Sequence, residues 1–286
     1  MISIEQETRF LLSRYGIKAK KHLGQNFLVD QDVLNGILGT SNLSCADTVL
    51  EIGAGPGILT GRIAEKTKKV YALEIDEGLL KILNARLCGY ENVQIIKGDI
   101  LKTDVASLLR GKTPVKIIAN LPYYITTPVI MHLLGQKFPP FTQLLLMVQK
   151  EVGLRMAALP GNRDYGIFSI AVQYYTKTEL ISVVSKKSFF PVPGVDSAIV
   201  KMTVLKEPPV RLKDETLFFA LVKASFSHRR KTLANSLFKS SMKLSKKEIA
   251  VLLECENIEP SRRAESLSLQ EFSGLSNTLH KMKINP

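Results

Sequence analysis

The stretch VLEIGAGPGILT, residues 49–60, sets Gly53, Gly55 and Gly57 between an apolar β-branched run and a helical pattern. Glycine takes positive φ without strain and lets a ligand approach the backbone closely. A strand that turns through such a loop into a helix is the first half of a βαβ unit. In an open α/β sheet that loop lies at the carboxyl edge, where ligands bind. On this stretch alone, a tight turn without a ligand remains the alternative.

The neighbouring segments extend the pattern. Short apolar runs recur at TVLEI (48–52), KVYALE (69–74), NVQIIKG (92–98), VKIIAN (115–120) and QLLLMVQ (143–149). The first four are separated by segments long enough for crossover helices, which predicts a parallel sheet covered on both faces. ELISVVS (179–185) and SAIVKMTV (197–204) are further candidate strands. After Pro208-Pro209 the chain shows only helical spacing, for example Leu217, Leu221, Val222 and Phe226.

The ligand is read from what surrounds the glycines. The spacing is G-x-G-x-G rather than the dinucleotide G-x-G-x-x-G, and Pro56 removes an N–H that a pyrophosphate would use. Glu74 ends the second strand, where a carboxylate accepts from ribose hydroxyls. Asp99 follows the third, where an acid can read an adenine amino group. Each acid alone also reads as a solvated strand end or a helix cap. Together they favour S-adenosylmethionine (AdoMet), a nucleoside without phosphates that carries a sulfonium. Gly111-Lys112-Thr113 is not a P-loop, because Ala106 holds the first glycine position.

The fourth strand delivers Asn120, Leu121, Pro122 and Tyr123 to the same edge. These are ordinary turn residues. They are also what methylation of an exocyclic amine needs. The amine lone pair is delocalised into the ring, so the nitrogen must be held in line with the methyl donor. A carboxamide oxygen and a backbone carbonyl can each accept one of its N–H groups. Proline stiffens the loop, and tyrosine can stack on a base taken out of its helix or loop.

Composition points to the partner. The 286 residues carry a formal net charge of +13, which implicates a polyanion, nucleic acid before membrane. Residues 206–286 hold 15 Lys+Arg against 9 Asp+Glu, and residues 1–205 hold 24 against 17, so the C-terminal part is the more basic per residue. No run is long and apolar enough for a membrane span. The N-terminus carries Glu5 and Glu7 and no signal core, so secretion is not expected. Cys45, Cys88 and Cys255 are far apart and read as reduced thiols. The four histidines are scattered, so no metal site is expected. Lys18, Lys20, Lys21 and His22 form a candidate RNA-facing arm, or a solvated charge run. Phe189-Phe190-Pro191 reads as core or as a stacking platform. His228 to Lys231 sits in a helical pattern that would aim charge at phosphates, or simply face water.

At this point the chain resembles the KsgA family of ribosomal RNA adenine N6,N6-dimethyltransferases over nearly its whole length. The segments that carry the resemblance are KKHLGQNFLVD (20–30), VLEIGAGPGILT (49–60), ALEID (72–76), KGDIL (97–101), NLPYYITTP (120–128), FFPVPGVDSAIV (189–200), FSHRRKTLANSL (226–237) and RAESLSLQEF (263–272). It departs from the family at His228, often Gln, and at Tyr124, often Asn.

The resemblance implies a Rossmann-like class I AdoMet-dependent methyltransferase fold, α/β, with a small C-terminal helical domain. Residues 1–207 would form the catalytic domain, with an arm over 1–30, and 208–286 a helical RNA-binding domain. Asn26, Leu28, Gly53, Gly55, Glu74, Asp99 and Asn120 would bind AdoMet. Asn120 and the Leu121 carbonyl would hold the target amine, with Pro122 fixing them and Tyr123 and Phe189 sandwiching the adenine. Lys20, Lys21, His22, Arg229, Arg230 and Lys231 would meet RNA. Family members dimethylate two adjacent adenines in a hairpin loop near the 3′ end of small-subunit (16S) RNA, on an assembling particle. A cytoplasmic monomer is expected. The alternatives are an Erm-type large-subunit methylase, which RAESLSLQEF and FSHRRKTL disfavour, and a non-catalytic assembly or transcription factor, which the intact Gly53/Glu74/Asp99/Asn120 set disfavours.

Overall fold

The structure is a computed structural model that describes residues 2–112, 114–135, 140–228 and 230–284. The strands, in chain order, are β1 (Phe27–Leu28), β2 (Thr48–Ile52), β3 (Lys69–Glu74), β4 (Val93–Lys97), β5 (Val115–Asn120), β6 (Gln143–Gln149), β7 (Thr176–Val184), β8 (Phe189–Phe190) and β9 (Ser197–Val204). The helices are α1 (Ile4–Arg14), α2 (Gln31–Ser41), α3 (Ile58–Ala64), α4 (Glu77–Leu87), α5 (Val105–Leu109), α6 (Thr126–Leu134), α7 (Lys150–Ala157), α8 (Ile167–Tyr175), α9 (Glu215–Ser225), α10 (Leu233–Phe238), α11 (Lys246–Cys255) and α12 (Leu269–Ile284).

Seven strands form one sheet in the order β4-β3-β2-β5-β6-β9-β7. β2 to β6 are parallel, and β9 returns antiparallel to β6. The central strands read as unbroken apolar runs because both faces are covered: β2 is buried at every position and β6 at all but the last. The strand order reverses at β2, which lies between β3 and β5. The crevice beyond its carboxyl end is therefore the switch point where a ligand fits. Aspartates start the crossover helices at that edge: Asp76 caps α4 through the Gly78 N–H, and Asp104 caps α5.

The chain divides into two compact units, and the division departs from the expected cut at 207/208. One unit holds the chain up to Gly153 together with Lys177–Val204. The other joins Leu154–Thr176 to the chain from Leu205 onward. The reason lies in side-chain burial. Tyr165 and Ile170 belong to the same apolar cluster as Phe218, Leu221, Leu252 and Phe272. Aromatic rings reinforce this second core, with Tyr174 edge-on to Phe219 and Phe226 tilted against Phe272. Phe272 is fully buried there. Phe272→Ala is therefore expected to cost about 3–5 kcal/mol in urea denaturation, and a loss below about 1 kcal/mol would show that this cluster is not a packed core.

Candidate active site

The glycine loop is bent by its own glycines and tied to the end of the next strand. Gly53 and Gly55 stand at φ 74° and 58°, a region that side chains disfavour. Gly53 N–H and Ala54 N–H donate to the Leu73 carbonyl at 2.9 and 3.2 Å. Gly55 N–H donates to Glu74 Oε2 at 2.8 Å. The other oxygen, Oε1, accepts from the N–H groups of Ile75 and Asp76, both at 2.9 Å. Burial pushes the Glu74 carboxyl above its ordinary pKa despite these three donors.

Asp99 accepts from the Leu101 N–H at 3.0 Å, a one-turn bond that fixes the loop after β4. At the end of β5, Asn120 Nδ2 donates to the Asn26 carbonyl at 2.9 Å. That bond orients the carboxamide, and among the described residues its Oδ1 takes no hydrogen bond. Leu121 N–H donates to Met147 O at 3.1 Å, which locks the turn to β6 while its own carbonyl stays free among the described residues. Pro122 O accepts from Ile125 N–H and Thr126 Oγ1, closing a tight turn. Tyr123 is held by its hydroxyl, 2.9 Å from Ser197 Oγ. Burial pushes that phenol's pKa up.

These groups line a cavity of about 340 Å³ that includes Asn26, Gly53, Gly55, Glu74, Asp99, Asn120 and Tyr123. A second, smaller cavity of about 60 Å³ shares Gly53, Gly55 and Asn120 with it and is walled by Leu28, Glu51 and Met147. Leu28 thus meets the smaller cavity and not the larger.

Three placements differ from the expectation. Phe189 lines neither cavity. The two-residue pairing of β8 with β1 turns it inward, where it is 2% exposed and packs with Met147 and Ile199. The outward partner, Phe190, lies under the Arg9 guanidinium. Lys20 is not a free RNA-facing cation: its ammonium sits 3.0 Å from Asp76, whose side chain is fully buried. Gln25 Nε2 also donates to Asp76, at 2.7 Å. Burial raises the Asp76 carboxyl, but Gln25, Lys20 and the Gly78 N–H outweigh it and hold the pKa below the usual range. Finally, His228, Arg230 and Lys231 lie in the turn between α9 and α10, not on a helix, because Phe226 caps the one and Thr232 starts the other. Arg229 lies outside the described residues. Lys21 and His22 are exposed in a single 3-10 turn.

Glu51 belongs to the site without being one of the residues that the motifs single out. Its signal was visible: one acid in an otherwise apolar central strand. It is 3% exposed, and among the described residues its Oε2 makes no hydrogen bond of ordinary geometry, with the Thr60 hydroxyl as the polar group beside the carboxyl. Burial pushes its pKa to about 8.

The residues fit AdoMet. The volume suits a small ligand. Acids line both cavities, and neither lining includes a lysine or arginine. A polyphosphate would meet the acids of the larger cavity as like charge, whereas a cationic nucleoside meets opposite charge there; Glu51, which keeps its proton to about pH 8, adds a neutral carboxyl to the smaller cavity. Fold and site together define a class I AdoMet-dependent methyltransferase.

Comparison with known proteins narrows this. The family model for ribosomal RNA adenine dimethylase matches residues 16–281. A Geobacillus ribosomal RNA small subunit methyltransferase A is 44% identical over 97% of both chains. Its counterpart from Alkaliphilus metalliredigens is 45% identical over 94% of this chain and 95% of that one. The crystal structure of a Plasmodium falciparum dimethyladenosine transferase superposes with a TM-score of 0.75 at 29% identity, covering 89% of this chain and 96% of that one. The 23S rRNA methyltransferase ErmE shares the fold, with a TM-score of 0.69 at 24% identity over 89% of this chain and 100% of its own. The chain belongs to the ribosomal RNA adenine dimethylase family.

Glu51 also makes a pH prediction. Folded, its carboxyl keeps the proton up to about pH 8; unfolded, it releases it near 4.5. The folded state binds more protons in that window, so stability falls as pH rises from about 5 to about 8, with Glu74 adding in the same direction. Unfolding of the ligand-free protein should lose roughly 4 kcal/mol across the window, and Glu51→Gln should remove most of that slope. An unchanged slope in Glu51→Gln would contradict the assignment.

Proposed function

We propose that this enzyme methylates the N6 amines of two adjacent adenines in the 3′-terminal hairpin loop of small-subunit (16S) ribosomal RNA, acting as a cytoplasmic monomer on immature small subunits. The names of its relatives at 44–45% identity support the small subunit over the large. Among the described residues, no helix is long and apolar enough to cross a membrane. The observation that carries the reading is the anchoring of Asn120: its amide nitrogen is tied back to the Asn26 carbonyl, which leaves its Oδ1, like the next residue's carbonyl at Leu121, without a hydrogen bond among the described residues.

Bound AdoMet supplies an electrophilic methyl on its sulfonium. The chain supplies position. Glu74 uses its remaining acceptor capacity for ribose hydroxyls, since three of about four lone-pair sites are already filled. Asp99 accepts from the cofactor's adenine amine, and Asn26, Gly53 and Gly55 shape the bed. Asn120 Oδ1 and Leu121 O each accept one N–H of the target amine, which aims its lone pair and favours the pyramidal geometry of attack. Pro122 keeps the two oxygens in register. The Tyr123 ring, steadied by Ser197, provides the face on which the extruded base stacks. No general base is required before attack, because the ammonium formed gives up its proton to water. Arg230 and Lys231 in the helical unit are the phosphate-facing cations, with Lys21 in the arm and the His22 imidazole beside it as a polar contact.

Asn120→Ala is expected to lower methyl transfer to small subunits by about 10²–10³ while leaving RNA binding intact. Nucleoside analysis after transfer from labelled AdoMet checks the substrate: dimethyladenosine should appear in small-subunit RNA, and label confined to large-subunit RNA would refute it.

A further inference from the structure

The ten residues that end α10 and begin α11 carry three local costs that the packing does not require. Phe238, the last residue of α10, is a 45% exposed aromatic. Lys243 stands at φ 56°, in the left-handed region where glycine would be free of strain. Lys246 and Lys247 open α11, placing two positive charges at the helix end that favours negative charge. Between Phe238 and Lys247 there are four lysines and no acid. All four are exposed, and none forms an ion pair with a described residue. The nearest acid, Glu248, turns back to the Ser245 N–H. The Lys246 ammonium lies 5.4 Å from the centre of the Phe238 ring, so the charge and the exposed aromatic occupy one corner.

We infer that this corner of the helical unit is a docking surface for RNA, with an unpaired base stacked on Phe238 and backbone phosphates against Lys239, Lys243, Lys246 and Lys247. A stacked base removes the apolar ring from water and adds to the cation already beside it. Phosphates neutralise the four lysines, which no acid of the segment does. An acidic protein segment would satisfy the lysines, but it would leave the ring without a flat partner. The site lies apart in sequence from the His228–Lys231 turn, and it rests on ribosomal RNA being the substrate.

The test is equilibrium binding of the full-length protein to purified, unmethylated small ribosomal subunits across a salt series, with AdoMet binding as the control for folding. The triple variant Lys239→Ala, Lys243→Ala, Lys246→Ala should flatten the log–log salt slope by about 2 to 3. Phe238→Ala should weaken binding about tenfold and leave that slope unchanged. A photo-crosslinker at position 238 should label RNA. If the wild type methylates small subunits while both variants bind like it, the docking surface is overturned and the adenine dimethylase reading stands. A crosslink to a ribosomal protein overturns it equally. Wild-type protein that neither binds nor methylates small subunits would sink the substrate reading, and this proposal with it.

Discussion

The Glu74 carboxylate is the constraint on which the active site depends. One oxygen holds the glycine loop through Gly55, and the other holds the start of the next turn through Ile75 and Asp76. A carboxylate this deeply buried is costly unless its lone pairs are filled. Here the backbone fills most of them, so the loop after β2 and the strand end of β3 cannot move independently. The cavity between them is therefore formed by the fold itself. Capacity left on the carboxylate is available to a ligand, and the same burial that raises its pKa makes that last hydrogen bond strong.

A second acid organises the cover over this cavity. Asp76 would be untenable with no exposure and no cation, and Lys20 and Gln25 reach it from the N-terminal arm. The arm also presents the Asn26 carbonyl to Asn120 and pairs Phe27 with Phe190. Three anchors of different chemistry thus place one short segment. Its basic residues divide accordingly: Lys20 serves the fold, while Lys21 and His22 face solvent. A run of like residues in sequence does not share one task, because neighbouring side chains meet different surroundings.

Much of the architecture was legible from the residues. Parallel strands covered on both faces must read as apolar runs, and all five parallel strands, the partly exposed edge strand β4 among them, were recognisable at or within one residue of their ends. The glycine loop, Glu74, Asp99 and NLPY were visible because each marks the end of a strand, and parallel strands deliver their ends to one edge. Phe189 stayed ambiguous for the converse reason. In FFP either ring could face the ligand, and only the pairing of β8 with β1 decides that Phe189 points inward. The helical unit shows the same limit, because Leu154–Thr176 joins a core whose other members lie some fifty residues and more along the chain.

By itself, then, the sequence determined the succession of strands in the main sheet with crossovers between them, the chemistry gathered at the sheet edge, and the basic character of the chain. Those properties are local or additive: periodicity, turn residues and charge require no knowledge of distant neighbours. Tertiary structure decided which oxygens are free among the described residues, which lysines are engaged, which phenylalanine is core, and that Glu51 is buried. Those depend on contacts between residues remote in the chain. A hydrogen bond or a burial cost exists only once both partners have been brought together and water has been excluded from between them.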